Sequence, residues 1–209
     1  MRPISKTFTV TATDADGICL SQTPLASGNL TIDGALASGG TVTIPTAQHV
    51  TIDCAGSDAA RSFIVTGTDD AGNVLTETLA GSAASTTTST KNFKTITSIS
   101  VDAATAGAVT AGIVSTFESA WIPLNIHVIH FNYSYQIIPS GTATFTLEGT
   151  LDNIFDTSIT PVTTTTAVQA SGSAAVSNVK VIPIFALRLK VTAYTSGTIT
   201  LKVLQAGLE

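Results

Sequence analysis

Between Arg61 and Val101 the chain spells out a strand, a tight turn, a second strand and then a third, and this pattern is the strongest constraint on what it can fold into. Phe63, Val65, Val74, Leu75 and Leu79 occupy apolar strand positions, while Asp69, Asp70, Gly72 and Asn73 accept the backbone angles of a turn. A Ser/Thr tract then leads into Lys91-Asn-Phe-Lys-Thr-Ile-Thr-Ser-Ile-Ser-Val101. Short Thr/Val/Ile runs broken by Gly, Asp, Asn and Ser recur throughout, so the expected class is all-β. The stretch Thr11-Ala-Thr-Asp-Ala-Asp-Gly17 echoes Thr66-Gly-Thr-Asp-Asp-Ala-Gly72 and reads as a second turn built to the same recipe.

Apolar residues at every second position mark strands with one buried face. Leu30 and Ile32, Val42 and Ile44, and Val50 and Ile52 form three such pairs, punctuated by Gly28, Gly34, Gly39, Gly40 and Pro45. They predict a meander of short strands over about 28–55. Residues 102–112 are rich in Ala and Gly; their Thr and Val favour a turn and a closing strand near Val109–Val114 over a helix. The only Trp and a nearby Pro, in Ser115-Thr-Phe-Glu-Ser-Ala-Trp121-Ile-Pro, mark a seam.

Beyond the seam, Phe131, Tyr133, Tyr135 and Ile137 alternate with polar residues, and Pro139-Ser-Gly141 turns the chain into Ala143, Phe145 and Leu147. Leu187, Leu189 and Val191, then Thr195-Ser-Gly197, then Ile199, Leu201 and Val203 repeat the device. Both read as hairpins, with residues 150–178 between them as an irregular surface excursion. The expected architecture is two small antiparallel β-sandwich or jelly-roll-like domains in tandem, 1–118 and 119–209.

Charged residues make up 11 % of the 209, against roughly 25 % in an average domain. Thr and Ser supply the polar surface instead. Nine Lys and Arg, no basic run and a net charge of −5 argue against direct binding of nucleic acid. No run of 18 apolar residues encodes a transmembrane helix, and Met1-Arg-Pro-Ile-Ser-Lys leads into alternating Thr-Phe-Thr-Val, unlike a secretory leader. Cys19 and Cys54 are too few for a disulfide framework and read as buried free thiols.

Candidate sites dissolve on inspection. His127 and His130, three apart in a segment read as strand, point to opposite faces and cannot share a metal, and His49 has no companion. The Asp14/Asp16 and Asp69/Asp70 turns lack the spacing of a calcium loop. Glu148, Asp152 and Asp156 do not make a glycosidase pair at any fixed spacing, and Phe131, Tyr133 and Tyr135 describe one core face as well as a stacking platform. No catalytic, cofactor-binding or metal-binding residue is assigned, and no enzyme is expected.

Several ordered motifs carry a resemblance. Asp16-Gly-Ile-Cys-Leu-Ser-Gln-Thr-Pro24, Gly28-Asn-Leu-Thr-Ile-Asp-Gly34, Val50-Thr-Ile-Asp53, Phe63-Ile-Val-Thr-Gly-Thr-Asp-Asp-Ala-Gly-Asn73 and Phe93-Lys-Thr-Ile-Thr-Ser-Ile99 occupy the first half. Trp121-Ile-Pro-Leu124, Phe131-Asn132, Gly141-Thr-Ala-Thr-Phe-Thr-Leu147, Leu187-Arg-Leu-Lys-Val191 and Ser196-Gly-Thr-Ile-Thr-Leu201 follow. Together they resemble a family of structural virion proteins of tailed bacteriophages; the apolar Asn125-Ile-His-Val-Ile-His departs from that pattern. The resemblance implies a capsid decoration, or cement, protein on the phage head surface, made in the cytoplasm of a bacterial host. Its implied partners are the major capsid protein and copies of itself in a homo-oligomer, with no nucleic acid and no membrane. A head-fibre or tail-tip appendage that binds receptors or glycans, and a neck or tail connector ring, are the alternatives.

Overall fold

The computed structural model describes residues 3–127, 131–156, 158–164 and 168–205. It is all-β, with three antiparallel sheets among the described residues. The chain divides into two compact units, Thr11–Phe117 and a second composed of Met1–Val10 with Glu118–Glu209. The first strand, β1 (Ile4–Thr9), therefore leaves the N-terminal block in which the tandem reading placed it. Its Phe8 is buried, and its ladder partner lies almost 200 positions along the chain, Ile4 facing Val203.

The unit Thr11–Phe117 is one sheet. Its strands are β2 (Asp14–Gln22), β3 (Gly28–Asn29), β4 (Ala37–Ser38), β5 (Thr41–Ser57), β6 (Ser62–Thr68), β7 (Val74–Ala80), β8 (Ala83–Val101) and β9 (Val109–Ile113). They run β2-β9-β5-β8-β6-β7, with β3 against β8 and β4 against β5. The β6–β7 hairpin forms around Asp69 to Asn73 as the sequence predicts, with Gly72 at φ +84°. Of the adjacent apolar strand positions Val74 and Leu75, Val74 is exposed, because its partner Thr68 lies on the outer face.

Of the predicted meander over 28–55, only the two-residue β3 and β4 are short strands; Val42, Ile44, Val50 and Ile52 all fall in one 17-residue strand, β5, whose register against β8 breaks between Thr43 and Gln48. Pro45 sits in that break, where a residue without an N–H removes no ladder bond. The groups freed there are taken up locally: Asp70 accepts the Ala47 N–H at 3.3 Å, and Lys94 Nζ donates to the Pro45 carbonyl. Leu30 and Ile32 are buried as expected yet join no ladder. Leu30 N donates to Ile99 O of β8 at 2.7 Å, Gly34 N to Ile18 O at 2.9 Å and Leu36 N to Gly17 O at 2.8 Å, and side chains add to the attachment on β2. Gln22 accepts from Thr31 N at 2.9 Å and donates to Thr31 O at 3.0 Å, while Asp33 accepts from Leu20 N at 2.9 Å. The Asp14–Gly17 stretch is no turn: it lies within β2, whose register against β9 shifts between Asp14 and Cys19. Gly112 makes room for it, since a Cβ there would lie 1.9 Å from the Asp14 carbonyl oxygen.

The second unit holds β10 (Phe117–Glu118), β11 (Ile122–Pro123), β12 (Tyr133–Pro139), β13 (Ala143–Thr150), β14 (Gln169–Gly172), β15 (Val176–Lys180), β16 (Ala186–Tyr194) and β17 (Thr198–Leu204). Four strands form the sheet β1-β17-β12-β15, and five form β10-β16-β13-β14 with β11 beside β16. Neither expected hairpin exists. β12 pairs with β17 and β13 with β16, so each Ser-Gly turn carries the chain from one sheet to the other as an arch. Alternation specifies which side chains face inward but not which strand lies alongside. The two arches are stitched together where they turn: Ser140 N donates to Thr198 O and Thr198 N to Ser140 Oγ, each at 2.8 Å. Gly197, at φ +90°, lies so near that a Cβ on it would be 2.6 Å from Gly141 N.

Residues 150–178, expected to be irregular, contribute β14 to one sheet and the start of β15 to the other. The segment read as strand around 126–131 is a turn at Ile126 and His127, and Val128, Ile129 and His130 lie outside the described residues.

Candidate functional site

The sequence-derived candidates are scattered and structurally occupied. Asp69 closes its own turn, accepting from Ala71 N at 2.8 Å, Asn73 N at 2.9 Å and Asn73 Nδ2 at 3.0 Å. Burial pushes its carboxyl upward, but these bonds more than offset it and hold the group below the ordinary aspartate range. Asp70 serves the β5 break. His127 is exposed, its N–H bound to Asn125 Oδ1 at 3.0 Å, and His49 lies in β5 of the other unit. Among the described residues no three His, Cys, Asp or Glu side chains gather as a metal site, and no helix is long and apolar enough to cross a membrane. Cys19 and Cys54 are free and buried. Burial, with Asp33 adding to it, pushes the Cys19 thiol up to about 12.

Tyr133 and Tyr135 are core residues, and Phe131 packs edge-on against Tyr133 at 6.0 Å between ring centroids. Tyr135 donates its hydroxyl to Gln169 Oε1 at 2.8 Å, reaching from the four-stranded sheet to β14 of the five-stranded one. Tyr133 is equally enclosed, yet its hydroxyl finds no hydrogen-bond partner among the described residues. Burial, and secondarily Tyr135, push its phenol up to about 12.

Glu148 belongs to an ionic strip on the outer face of the five-stranded sheet. Arg188 Nε meets Glu148 Oε2 at 2.7 Å, and Lys190 Nζ lies 3.0 Å from Glu118 Oε1 and 4.0 Å from Glu148 Oε1. The Arg188 guanidinium also lies over the Trp121 ring, 4.6 Å from its centroid. These charges satisfy one another and fasten β10, β13 and β16 laterally, which accounts for the Trp that marked the seam. Asp152, the other half of the imagined carboxylate pair, is committed to Val162 N at 2.6 Å.

That last bond belongs to the 150–178 surface excursion, which sequence reading offers as the reading surface of the receptor-binding alternative without showing that it is tied or where its apolar residues gather. Residues 151–162 form a loop whose base is tied: Thr150 Oγ1 donates to Val162 O at 2.7 Å, Thr164 N to Gly149 O at 2.8 Å, and Phe185 N to Thr150 O at 2.7 Å. Leu151, Phe155 and Val162 stand on it at 69 %, 69 % and 71 % exposure, with Ile159 exposed beside them in sequence. Val179, Val181 and Ile182 are exposed on the chain leading to Phe185, and Phe155 meets Phe185 edge-on at 6.0 Å. A shallow groove of about 330 Å³ runs between Leu151, Asp152, Val162, Thr163 and Thr164. Of the large apolar side chains exposed among the described residues, more than half lie between 151 and 182. Scattered apolar residues need no explanation, but a concentration on one tied loop sets this region apart from the rest of the described surface. Sequence reading missed it because buried strands and exposed loops draw on the same Val, Ile and Phe.

Comparison with protein-family models, with curated proteins and with solved structures finds no match to this chain.

Proposed function

We propose that the chain is a structural protein of a tailed-phage virion, a decoration or cement protein that binds major capsid subunits in many copies. The observation that carries this reading is the exposed apolar surface of the tied loop and the Val179–Ile182 segment, a surface suited to docking on another folded protein. The order of motifs along the chain supports the virion assignment. In the finer fold reading, the unit built on Glu118–Glu209 is a two-sheet sandwich joined by arches, whereas the single sheet of Thr11–Phe117 does not supply the second layer that the tandem-sandwich expectation called for. The mechanism is mechanical: each copy buries apolar and threonine-lined surface on the shell, and many modest contacts add resistance to bursting through multivalency.

Quantitative imaging of purified particles tests the proposal. Hundreds of copies distributed over the head are expected, and copies confined to one vertex or to the tail would reject it. Phe155, an exposed aromatic on a fixed loop, favours the receptor-binding appendage as the second reading. Saturable binding on a glycan array, abolished by Phe155→Ala, would select that alternative.

A further inference from the structure

The outer face of the four-stranded sheet carries an ordered set of side chains that the fold does not use. Lys6 lies opposite buried Leu201 and Lys180 opposite buried Tyr133, so both belong to the inner face, at the two edge strands. Lys202, flanked by buried Leu201 and Val203, is then the one charged side chain of the outer face among the described residues, and the four strands contain no Asp or Glu. Register sets it in a row: Ser5 faces Lys202, Lys202 faces Gln136 and Gln136 faces Ser177. Four polar side chains from β1, β17, β12 and β15 thus stand abreast across the whole sheet, about 4.7–4.9 Å from strand to strand.

In the adjoining row of the same face, Leu204 lies opposite Ser134, and Leu204 is exposed. A groove of about 320 Å³ is lined by the polar row, by Ser134, and by Leu204 and Pro3, which supply its apolar side. Its donors are unspent. Elsewhere on this sheet hydroxyls bond one another, Thr7 with Thr200 at 2.9 Å and Ser140 with Thr198 at 3.0 Å. The side chains of Ser5, Ser134, Gln136, Ser177 and Lys202 make no hydrogen bond or ion pair to any described residue.

These features select the chemistry of an occupant. The groove crosses the strands on their face, where β17 and β12 are each paired on both sides, so a peptide strand finds no ladder to join. A cation without companions suits a ligand with one carboxylate and not a polyphosphate, whose binding draws on many Lys and Arg. Neutral hydroxyl and amide groups at even spacing beside an apolar strip suit a sugar, which presents hydroxyls at its rim and C–H groups on its face. We propose that this groove binds an acidic oligosaccharide. The carboxylate of a uronic or sialic acid meets Lys202, sugar hydroxyls bond Ser5, Ser134, Gln136 and Ser177, and a C–H face rests on Leu204 and Pro3. The inference stands apart from the virion reading and from the apolar loop, whose Phe155 takes no part in it.

Backbone-amide NMR of the full chain, titrated separately with sialyllactose, trigalacturonate, lactose and tetraglutamate, tests the proposal. At least one of the two acidic sugars should shift the amides of Gln136, Ser177 and Lys202 saturably, with an affinity at least about tenfold above that for lactose. Lys202→Gln should weaken that binding about tenfold, Lys202→Arg should retain most of it, and Phe155→Ala should leave it unchanged. All three residues substitute on the exposed surface, and circular dichroism confirms that the variants are folded. The proposal is overturned if neither acidic sugar gives a saturable shift, if the shifts fall on another surface, or if lactose or tetraglutamate binds as tightly as the acidic sugars. Unchanged affinity in Lys202→Gln overturns it too, and loss of binding in Phe155→Ala would place the sugar on the loop instead.

Discussion

The side-chain amide of Gln48 is bound at both ends to the backbone of Thr11: Oε1 accepts Thr11 N–H at 2.7 Å, and Nε2 donates to Thr11 O at 2.9 Å. Nε2 also donates to Val114 O at 2.7 Å, and the residue is fully buried. A side chain here does the work of a missing strand, pairing two backbone segments that have run out of ladder. Gln205 repeats the device in the other unit, accepting from Asn125 N and donating to Asn125 O, both at 2.7 Å.

Gln48→Leu preserves the volume and leaves one N–H and two carbonyls unpaired inside the protein. Each such group costs about 1–3 kcal/mol, so a loss of about 3 kcal/mol or more is expected in chemical denaturation. A loss below about 1 kcal/mol would mean that the neighbouring backbone re-pairs without the amide.

Tyr133 and Tyr135 should respond oppositely to loss of the hydroxyl. Tyr133→Phe removes a buried group that lacks a partner and should stabilise the protein by about 1 kcal/mol. Tyr135→Phe strands Gln169 Oε1 and should cost about the same. Paired denaturation curves decide the matter, and shifts of equal sign would contradict the geometry.

The two thiols should be silent in the native state. Both are buried, and the Cys19 thiol, pushed up to about 12, is in addition almost wholly protonated at pH 8, so a disulfide reagent should find nothing to attack. In denaturant both thiols per chain should react. Rapid native labelling would show that the β2–β9–β5 region opens readily.

Asp69 sets a pH dependence with a definite sign. A carboxyl held below its ordinary value contributes stability that is complete above the unfolded-state pKa, near 3.9, and is lost as pH falls through the lowered folded value. Its titration followed by NMR should have a midpoint below about 3.9. Asn73→Ala removes the Nδ2 bond and should move that midpoint upward. An unmoved midpoint would assign the effect to the backbone donors alone.

What could be read in the sequence followed from local chemistry. The Asp69–Asn73 turn specifies the β6–β7 hairpin because its own side chain closes it, and Tyr133, Tyr135, Phe145 and Leu189 face inward as alternation requires. Partners were not legible. Pro139-Ser-Gly141 and Thr195-Ser-Gly197 turn a chain equally well within a sheet or between two, and the choice of arch depends on Ser140 meeting Thr198, 58 positions away. Pro45 reads as a strand end because the groups that accommodate it come from elsewhere, Asp70 from the β6–β7 turn and Lys94 from β8. The tied loop was read as irregular since its fixity rests on Thr150 and Asp152 reaching Val162, a relationship that periodicity does not encode.

The pairing of β1 with β17 has a consequence for how this chain comes into being. Ile4 meets Val203 only after everything between them has been synthesised, whereas Thr11–Phe117 has its whole sheet available much earlier. On the ribosome the inserted unit can close first, leaving the leading strand waiting as an unpaired ribbon with Phe8 open to water. Arrival of β17 is then the slow, long-range event that closes this sheet, and a chain cut short before Thr198 would leave β1 without its ladder partner.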